Sequence, residues 1–272
     1  MKPIRDIIKE ANSNYKEGDY IGEDGLLYCG KCHTRKQTRL EFNGKIIEPF
    51  CYCQCEQERA EKEKEQEKKR EIMLKIQRYK LSGFQDDNLM NCTFDNDDRK
   101  QPMASKVAHN YVDNFNDFRK IGKGLMFYGG VGTGKTFIAS CIANALMEQL
   151  HPCLVTNFSR IINTVTGMYE GKQQYIDSLN NYDLLVIDDL ATERNTEYVN
   201  EIVYSVIDSR YRSGKPLIIT TNMTLEEMRS ETNINRKRIY SRIGEMCIPV
   251  LVDGKDRRKA KPDTELIRKL FK

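Results

Sequence analysis

The chain has 272 residues, enough for about two domains, and its 44 Lys and Arg nearly balance its 40 Asp and Glu. No apolar run approaches the roughly 18 residues that cross a bilayer, and the N-terminus lacks a signal peptide's apolar core. These features argue against membrane-embedded and secreted proteins and predict a cytoplasmic one. In a cytoplasmic chain, the nine cysteines favour metal ligation or core packing over disulfides.

The first predicted element is a short helix within residues 1–14. Ile4, Ile7, Ile8 and Ala11 recur at helical spacing and form one apolar face. Such a face can hold a partner, but it packs more often against its own domain, which is the interpretation we favour.

Five of the nine cysteines follow between residues 29 and 55, in the patterns Cys-x-x-Cys and Cys-x-Cys-x-Cys. Residues 40–47, which separate the two patterns, predict a β-hairpin that turns at Asn43-Gly44. Thiolates spaced this closely can share one tetrahedral zinc ion, which a small hairpin domain needs for its stability. We therefore predict a structural Zn²⁺ site formed by four of these five residues: Cys29, Cys32, Cys51, Cys53 and Cys55.

Alternatives remain open at this site. Three cysteines compete for the last two ligand positions, and His33 is an additional candidate ligand. Redox chemistry at the Cys-x-x-Cys needs a thioredoxin-like βαβ context, which the surrounding sequence lacks. Thiols that bind no metal are the third alternative.

Residues 56–80 consist almost entirely of Glu, Lys, Gln and Arg. Oppositely charged residues four positions apart, such as Glu65 and Lys69, favour a solvated helix. We predict that this helix links two domains, a zinc-binding domain of residues 1–55 and a larger domain of residues 81–272.

The larger domain contains the segment Gly-Gly-Val-Gly-Thr-Gly-Lys-Thr, which fits the P-loop pattern G-x-x-x-x-G-K-[ST] at every fixed position. An apolar strand precedes this segment and an apolar-faced helix follows it, which is the context that the motif requires. Lys135 should reach the β- and γ-phosphates of ATP, and Thr136 should bind Mg²⁺. The predicted nucleotide-binding residues are Gly129, Gly130, Val131, Gly132, Thr133, Gly134, Lys135 and Thr136.

Two carboxylates, Asp188 and Asp189, end a predicted strand of residues 183–190. Such a Walker B element places Asp188 beside the P-loop, where it can hold Mg²⁺ directly or through water, and points Asp189 towards the attacking water. Asn222 ends the next predicted strand, residues 216–222, and can hydrogen-bond the γ-phosphate or its water. Each of these polar residues could instead cap a helix or form a turn.

Strands and helices alternate through this domain. We predict further strands at residues 153–156 and 247–252, and helices at residues 106–119, 158–169 and 196–212. This alternation predicts an α/β fold with a parallel, doubly wound sheet.

Basic residues concentrate near the C-terminus. Residues 236–272 contain twelve Lys and Arg against five Asp and Glu, which favours an anionic partner such as single-stranded DNA. The alternative interpretation is a solvated tail, which has the same basic composition. Phe158 and Arg160 are additional candidates for stacking on bases and pairing with phosphates, although core packing is the interpretation that we favour for Phe158.

The larger domain resembles the AAA+ ATPases of the DnaC/DnaI/IstB group in the order of its P-loop, Walker B strand and later arginine-containing segments. The cysteine-rich domain and charged linker resemble those of bacterial and phage helicase loaders. The resemblance implies that Asn222 is sensor 1, that Arg242 in Arg-Ile-Tyr-Ser-Arg-Ile is an arginine finger, and that Arg258 is sensor 2. Arg238 and Arg257 are the nearest alternatives for the last two roles.

This resemblance implies an ATP-dependent helicase loader in DNA replication. Its N-terminal domain would hold the replicative helicase, and its AAA+ domain would self-associate with ATP and bind single-stranded DNA. Two departures from the common AAA+ pattern are expected. Asp189 stands where many members have Glu, which suits a slow switch, and the few residues after Arg258 leave no room for a C-terminal helical lid.

Three other functions share features of this sequence with the loader. An IstB-type transposition helper has the same core but generally lacks the zinc domain and linker. A nucleotide-binding adaptor or inhibitor of a host replication protein would use ATP only as a structural ligand. A DnaA-type initiator is disfavoured, because no C-terminal DNA-reading domain follows residue 258.

Overall fold

The structure, a computed structural model, describes residues 15–191 and 196–257. The helix predicted for residues 1–14 and the sensor 2 candidate Arg258 lie outside these residues. The chain divides into two compact units, residues 1–73 and residues 74–272. The first unit contains the cysteine-rich segment, and the second contains the P-loop.

The described part of the first unit contains two antiparallel hairpins. They are β1 (Tyr20–Ile21) with β2 (Leu27–Tyr28), and β3 (Leu40–Phe42) with β4 (Lys45–Ile47). The second hairpin turns at Asn43 and Gly44, whose φ angles of 50° and 72° are the left-handed values that a type I′ turn needs. This predicted hairpin is confirmed. The first hairpin was not predicted, because strands of two residues show no alternation.

A helix of 30 residues, α1 (Gln54–Gly83), follows the hairpins. Its charged repeat forms ion pairs between residues four apart, Arg59 with Glu63 at 2.8 Å and Glu65 with Lys69 at 2.6 Å. Nearly all of its side chains are exposed, as expected for a solvated helix. The helix extends beyond both ends of the predicted segment.

The sheet of the second unit contains five parallel strands in the order β6-β7-β8-β5-β9. Their bounds are β5 (Gly124–Tyr128), β6 (Cys153–Asn157), β7 (Leu184–Leu190), β8 (Leu217–Thr221) and β9 (Cys247–Leu251). All strand ends that carry predicted site residues therefore lie at one edge, which is where ligands bind in such sheets.

Helices cover both faces of this sheet. They are α2 (Asp87–Met90), α3 (Pro102–Asp113), α4 (Phe115–Lys120), α5 (Lys135–Glu148), α6 (Phe158–Gly167), α7 (Lys172–Ser178), α8 (Glu197–Arg212), α9 (Leu225–Arg229) and α10 (Ile234–Met246). Successive residues of β5 alternate between two cores, with Leu125 and Phe127 against α3 and α5, and Met126 against α6, α8 and α10. The predicted doubly wound α/β fold is confirmed.

Some predicted helices differ from the observed ones. The segment predicted as one helix over residues 106–119 forms two, because the backbone leaves helical geometry at Asn114, with φ −110° and ψ 19°. Helix α7 was not predicted, because its seven residues are too short to show a helical apolar period. In the part of the chain that the structure describes, no helix is both long and apolar enough to cross a membrane.

Candidate functional site

The P-loop joins β5 to α5 and lines a cavity of about 380 Å³. Gly129 has a φ of 138°, and a side chain there would lie 2.4 Å from the main-chain oxygen of Val252. Gly134 caps α5 with a left-handed φ of 103°. The cavity therefore lies at a helix N-terminus, where N–H groups without helical partners attract phosphate.

Lys135, the first residue of α5, is only 6% exposed. Its Nζ donates hydrogen bonds to the Gly130 oxygen at 2.7 Å, to the Gly129 oxygen at 3.0 Å and to Asn222 Oδ1 at 2.8 Å. The fold thus brings the P-loop lysine into contact with the predicted sensor 1 residue from the end of β8.

Asp188 lies near the end of β7, beside the start of α5. Its Oδ1 accepts hydrogen bonds from the hydroxyls of Thr136, at 2.8 Å, and Thr220, at 2.6 Å. Burial raises the pKa of the Asp188 carboxyl above its ordinary value, and these two hydrogen bonds act in the opposite direction. Hydroxyl and carboxylate oxygens are suitable ligands for Mg²⁺, so Thr136 and Asp188 fit the predicted role.

Asp189 also lines the cavity, next to Asn222. Its backbone has a φ of 60°, an uncommon value for a residue other than glycine. The amide of Asn222 donates to Asp189 Oδ1 over 3.4 Å. The carboxylate therefore lies next to the predicted sensor, in the position expected for a group that orients water.

The sensor 2 candidate that the structure describes is Arg257. Its main-chain N–H donates to the Gly132 oxygen at 2.9 Å, and its side chain lines the cavity beside Gly134. The guanidinium also pairs with Asp98 at 3.2 Å. Arg257 is thus close enough to act on a bound nucleotide.

Arg242 does not line this cavity. Its guanidinium pairs with Asp208 of α8 at 2.5 Å and lies over the rings of Tyr204 and Tyr211, at 4.6 and 5.7 Å from their centroids. Its side chain is 24% exposed. Arg238, one helical turn earlier on α10, is exposed.

The candidate DNA contacts have different environments. Phe158 is 1% exposed and packs in the core between α6 and the sheet, so the core packing that the sequence favoured for it is confirmed. Arg160 is exposed and donates to the Gln85 oxygen at 2.6 Å.

Four cysteines of the first unit, Cys29, Cys32, Cys53 and Cys55, have their sulfurs within 4.8 Å of one another. A tetrahedral site with Zn–S bonds of about 2.3 Å separates its sulfurs by about 3.8 Å, so this cluster fits a zinc ion. Cys51 is excluded from the cluster, because its thiol is directed at the Arg35 oxygen, 3.7 Å away. His33 is absent from this group among the described residues.

Neighbouring groups act on the thiols of the cluster. The hydrogen bond with the Thr34 hydroxyl lowers the pKa of Cys32 to about 5, whereas burial raises the pKa of Cys53. In the same unit, a buried ion pair joins Lys36 to Asp19 at 2.7 Å. The Asp19 carboxylate also accepts a hydrogen bond from the N–H of Gly30, a residue that lies between Cys29 and Cys32 in the sequence. The sequence does not indicate this pair, because single charged residues in a charged segment give no distinct signal.

Comparison with known proteins gives the family. The sequence model of the bacterial DnaA ATPase domain matches residues 93–245, more than half of the chain. The chain belongs to the bacterial DnaA ATPase domain family. The matched range includes the P-loop, the Walker B strand and the helix that carries Arg242.

Two curated relatives of the chain are named replicative helicase loaders. The replicative helicase loader DnaC of Escherichia coli K12 is 29% identical over 160 residues, covering 56% of this chain and 63% of DnaC. The replicative helicase loader DnaI of Bacillus subtilis is 23% identical over 198 residues, covering 68% of this chain and 64% of DnaI. The chain thus spans less than two thirds of the length of these relatives.

A crystal structure of DnaI has the same fold as this DnaA-family domain. It superposes with a TM-score of 0.56 at 20% identity and covers 66% of this chain and 100% of its own. The predicted resemblance to the DnaC/DnaI group of AAA+ proteins is confirmed by these relatives.

Proposed function

We propose that this chain is an ATP-dependent loader that delivers a ring-shaped replicative helicase onto single-stranded DNA, with ATP hydrolysis as its switch. The main support is the contact between Lys135 and Asn222 beside the Thr136–Asp188 pair, in a chain whose relatives are named replicative helicase loaders. This arrangement supplies the groups that bind and hydrolyse ATP.

The phosphates are bound by groups of the P-loop and of β8. Lys135 can exchange its contacts with the P-loop carbonyls for contacts with the β- and γ-phosphates. Asn222 can then donate its amide to the γ-phosphate. Arg257, beside Gly134, can neutralise part of the charge that develops during phosphoryl transfer.

Mg²⁺ would be held by Thr136 and Asp188, where it neutralises charge on the phosphate oxygens. Asp189 orients the attacking water and accepts its proton. Because Asp is one methylene shorter than the Glu of many AAA+ proteins, we expect slow turnover that depends on partners.

The first unit is proposed to bind the helicase. Its zinc ion would be structural, since all four positions of the site are cysteines: Cys29, Cys32, Cys53 and Cys55. In this scheme residues 1–55 bind the partner, residues 56–80 act as the linker and residues 81–272 form the ATPase domain.

Two other functions make different predictions. A transposition helper would have ATPase activity that responds to duplex DNA. An adaptor or inhibitor would bind ATP without turnover. ATP turnover of the full chain, measured alone, with single-stranded DNA, with duplex DNA and with a replicative helicase, separates the three. Stimulation by single-stranded DNA and helicase supports the loader, and turnover that ignores both contradicts it.

Replacing Asp189 by Asn should abolish most ATP hydrolysis while ATP affinity stays within about threefold, because only the water-activating carboxylate is lost. Asn also tolerates the left-handed backbone at this position, so the substitution adds little strain. Lys135→Ala is the comparison variant and should lose ATP affinity itself. Titration with a fluorescent ATP analogue and single-turnover hydrolysis measure the two effects, and normal hydrolysis by Asp189→Asn would exclude Asp189 as the base.

Binding of single-stranded DNA should weaken steeply as salt increases, because basic side chains release counterions from the phosphates. Arg160→Ala should reduce the affinity for single-stranded DNA. It should also lower the slope of log affinity against log salt concentration by about 1, the value expected for the loss of one phosphate contact. Fluorescence anisotropy with a labelled oligonucleotide at several salt concentrations measures both. Lys62→Ala, on the solvated helix α1, is the control. An affinity that does not change with salt contradicts the electrostatic contribution.

A further inference from the structure

The end of β7 departs from regular pairing with β8. The two strands pair in register up to Ile187, and pairing resumes at Leu190, which lies opposite Thr221. Asp188 and Asp189 form the irregular step between these points, and Asp189 has its left-handed φ of 60° there. Backbone in such a conformation persists only where neighbouring groups hold it.

The side chain of Thr220 takes the place of the missing main-chain partner. Thr220 lies on β8 and is 1% exposed. Its hydroxyl accepts a hydrogen bond from the Asp189 N–H at 2.9 Å and donates one to Asp188 Oδ1 at 2.6 Å. Because an amide N–H only donates and a carboxylate only accepts, the direction of both bonds is fixed. One hydroxyl therefore holds the backbone of one carboxylate residue and the side chain of the other.

The contact with Asp188 also determines how this carboxylate is presented. The hydroxyls of Thr136, on α5, and Thr220, on β8, both donate a hydrogen bond to Asp188 Oδ1. Within the part of the chain that the structure describes, Oδ2 accepts no hydrogen bond. The two hydroxyls thus fix the carboxylate through one oxygen and leave the other for a cation or its water.

We propose that Thr220 is a positioning residue for ATP hydrolysis, whose hydroxyl holds Asp188 and Asp189 in the arrangement that magnesium binding and water activation require. This role rests on the proposed ATPase function. Thr220 does not line the P-loop cavity, and it acts through the two carboxylate residues.

The adjacent residue provides a matched control. Thr221 is also fully buried on β8, and its hydroxyl also makes two hydrogen bonds, to the Leu190 oxygen and from the Met223 N–H, each at 3.1 Å. Neither bond involves a carboxylate of the site. Thr221→Val therefore removes the same group from the same strand without releasing Asp188 or Asp189.

The test compares Thr220→Val, Thr220→Ser and Thr221→Val in the full chain. We measure kcat, the Mg²⁺ concentration for half-maximal hydrolysis, ATP affinity in EDTA and melting temperature. Thr220→Val should lower kcat or raise the Mg²⁺ requirement by about 10- to 100-fold, as is typical when a partner of a metal-binding carboxylate is lost. ATP affinity in EDTA should stay within about twofold. Thr220→Ser should restore activity, because it keeps the hydroxyl.

Several outcomes would overturn this role. They include a Thr220→Val protein with wild-type kcat and Mg²⁺ dependence, and equal losses in Thr220→Val and Thr221→Val, which indicate a purely structural effect. If Thr220→Val does not fold, Thr220→Ala is measured against Thr220→Ser by the same criteria. A wild-type chain that hydrolyses no ATP even with single-stranded DNA and a replicative helicase would instead overturn the proposed function itself.

Discussion

Replacing Arg242 by Ala should lower ATP hydrolysis by the assembled protein about 10³- to 10⁵-fold and leave the ATP affinity of a single chain nearly unchanged. Negative charge develops on the transferred phosphoryl group, and Lys135 and Mg²⁺ neutralise only part of it. Arg242 is not part of the cavity of its own chain, so it can contribute only at the site of a neighbouring chain. Turnover measured over a range of protein concentrations, together with a nucleotide titration, gives both quantities.

Within its own chain, Arg242 is held by Asp208 and by two tyrosine rings of α8. As an arginine finger, Arg242 would therefore have to exchange these contacts for contacts with the nucleotide of a neighbouring chain. Removing Arg242 still leaves Asp208 paired with Arg212 at 2.8 Å, which limits the loss of folding stability. Arg242→Lys should also be inactive, because an ammonium cannot reproduce the planar guanidinium fork.

Arg238→Ala is the matched control for this prediction, since Arg238 is an exposed arginine on the same helix. Mixing Arg242→Ala with Lys135→Ala should restore part of the turnover, because each protein supplies the group that the other lacks. Normal hydrolysis by Arg242→Ala alone excludes the finger. Loss of hydrolysis in Arg238→Ala but not in Arg242→Ala assigns the role to Arg238.

Replacing Cys53 by Ser should remove the zinc ion and unfold the first unit, whereas Cys51→Ser should leave the zinc content unchanged. Cys53 is 1% exposed within the cluster of four sulfurs, and Cys51 is exposed and lies apart from it. Structural zinc contributes about 10–16 kcal/mol of binding energy to the folding of small domains, so a unit of this size cannot fold without it. Zinc content per chain and limited proteolysis measure the two effects.

ATP binding separates this effect from general misfolding. Cys53→Ser should still bind ATP through the second unit but should no longer capture a helicase, and a chelator should have the same effect on the wild-type protein. Equal zinc content in the two variants would contradict the assignment of ligands. Simultaneous loss of ATP binding would show that the units do not fold independently.

The sequence predicted that the P-loop, Asp189 and Asn222 lie close together, because the P-loop and Walker B motifs have fixed spacings and follow apolar strands. Parallel strands end at one edge, so the approach of Asn222 to Lys135, 87 positions away in the chain, follows from the predicted topology. The sequence did not predict which two of Cys51, Cys53 and Cys55 belong to the cluster. Cysteines two residues apart in a turn differ mainly in the direction of their thiols, and this direction depends on tertiary packing.

Other features depended on contacts that a local pattern does not encode. Helical spacing placed Arg242 on one face of α10, but it did not reveal Asp208 and Tyr204 on the helix that packs against this face. Thr220 was missed because a threonine in a buried strand is common, and its role arises only from the irregular pairing of the neighbouring strand.

The order of strands also affects how the protein can be made. Strand β5, which leads into the P-loop, pairs with β8 on one side and with β9 on the other. Both partners are synthesised long after the P-loop, and the P-loop oxygen of Gly132 receives its hydrogen bond from Arg257, later still. A nascent chain that ends before β9 therefore carries both nucleotide motifs but lacks one of the two strands that flank β5 and the contact of Arg257 with the P-loop. We expect ATP to stabilise such a chain less than the full chain, so fragments truncated before residue 247 should be cleaved faster by proteases in the presence of ATP.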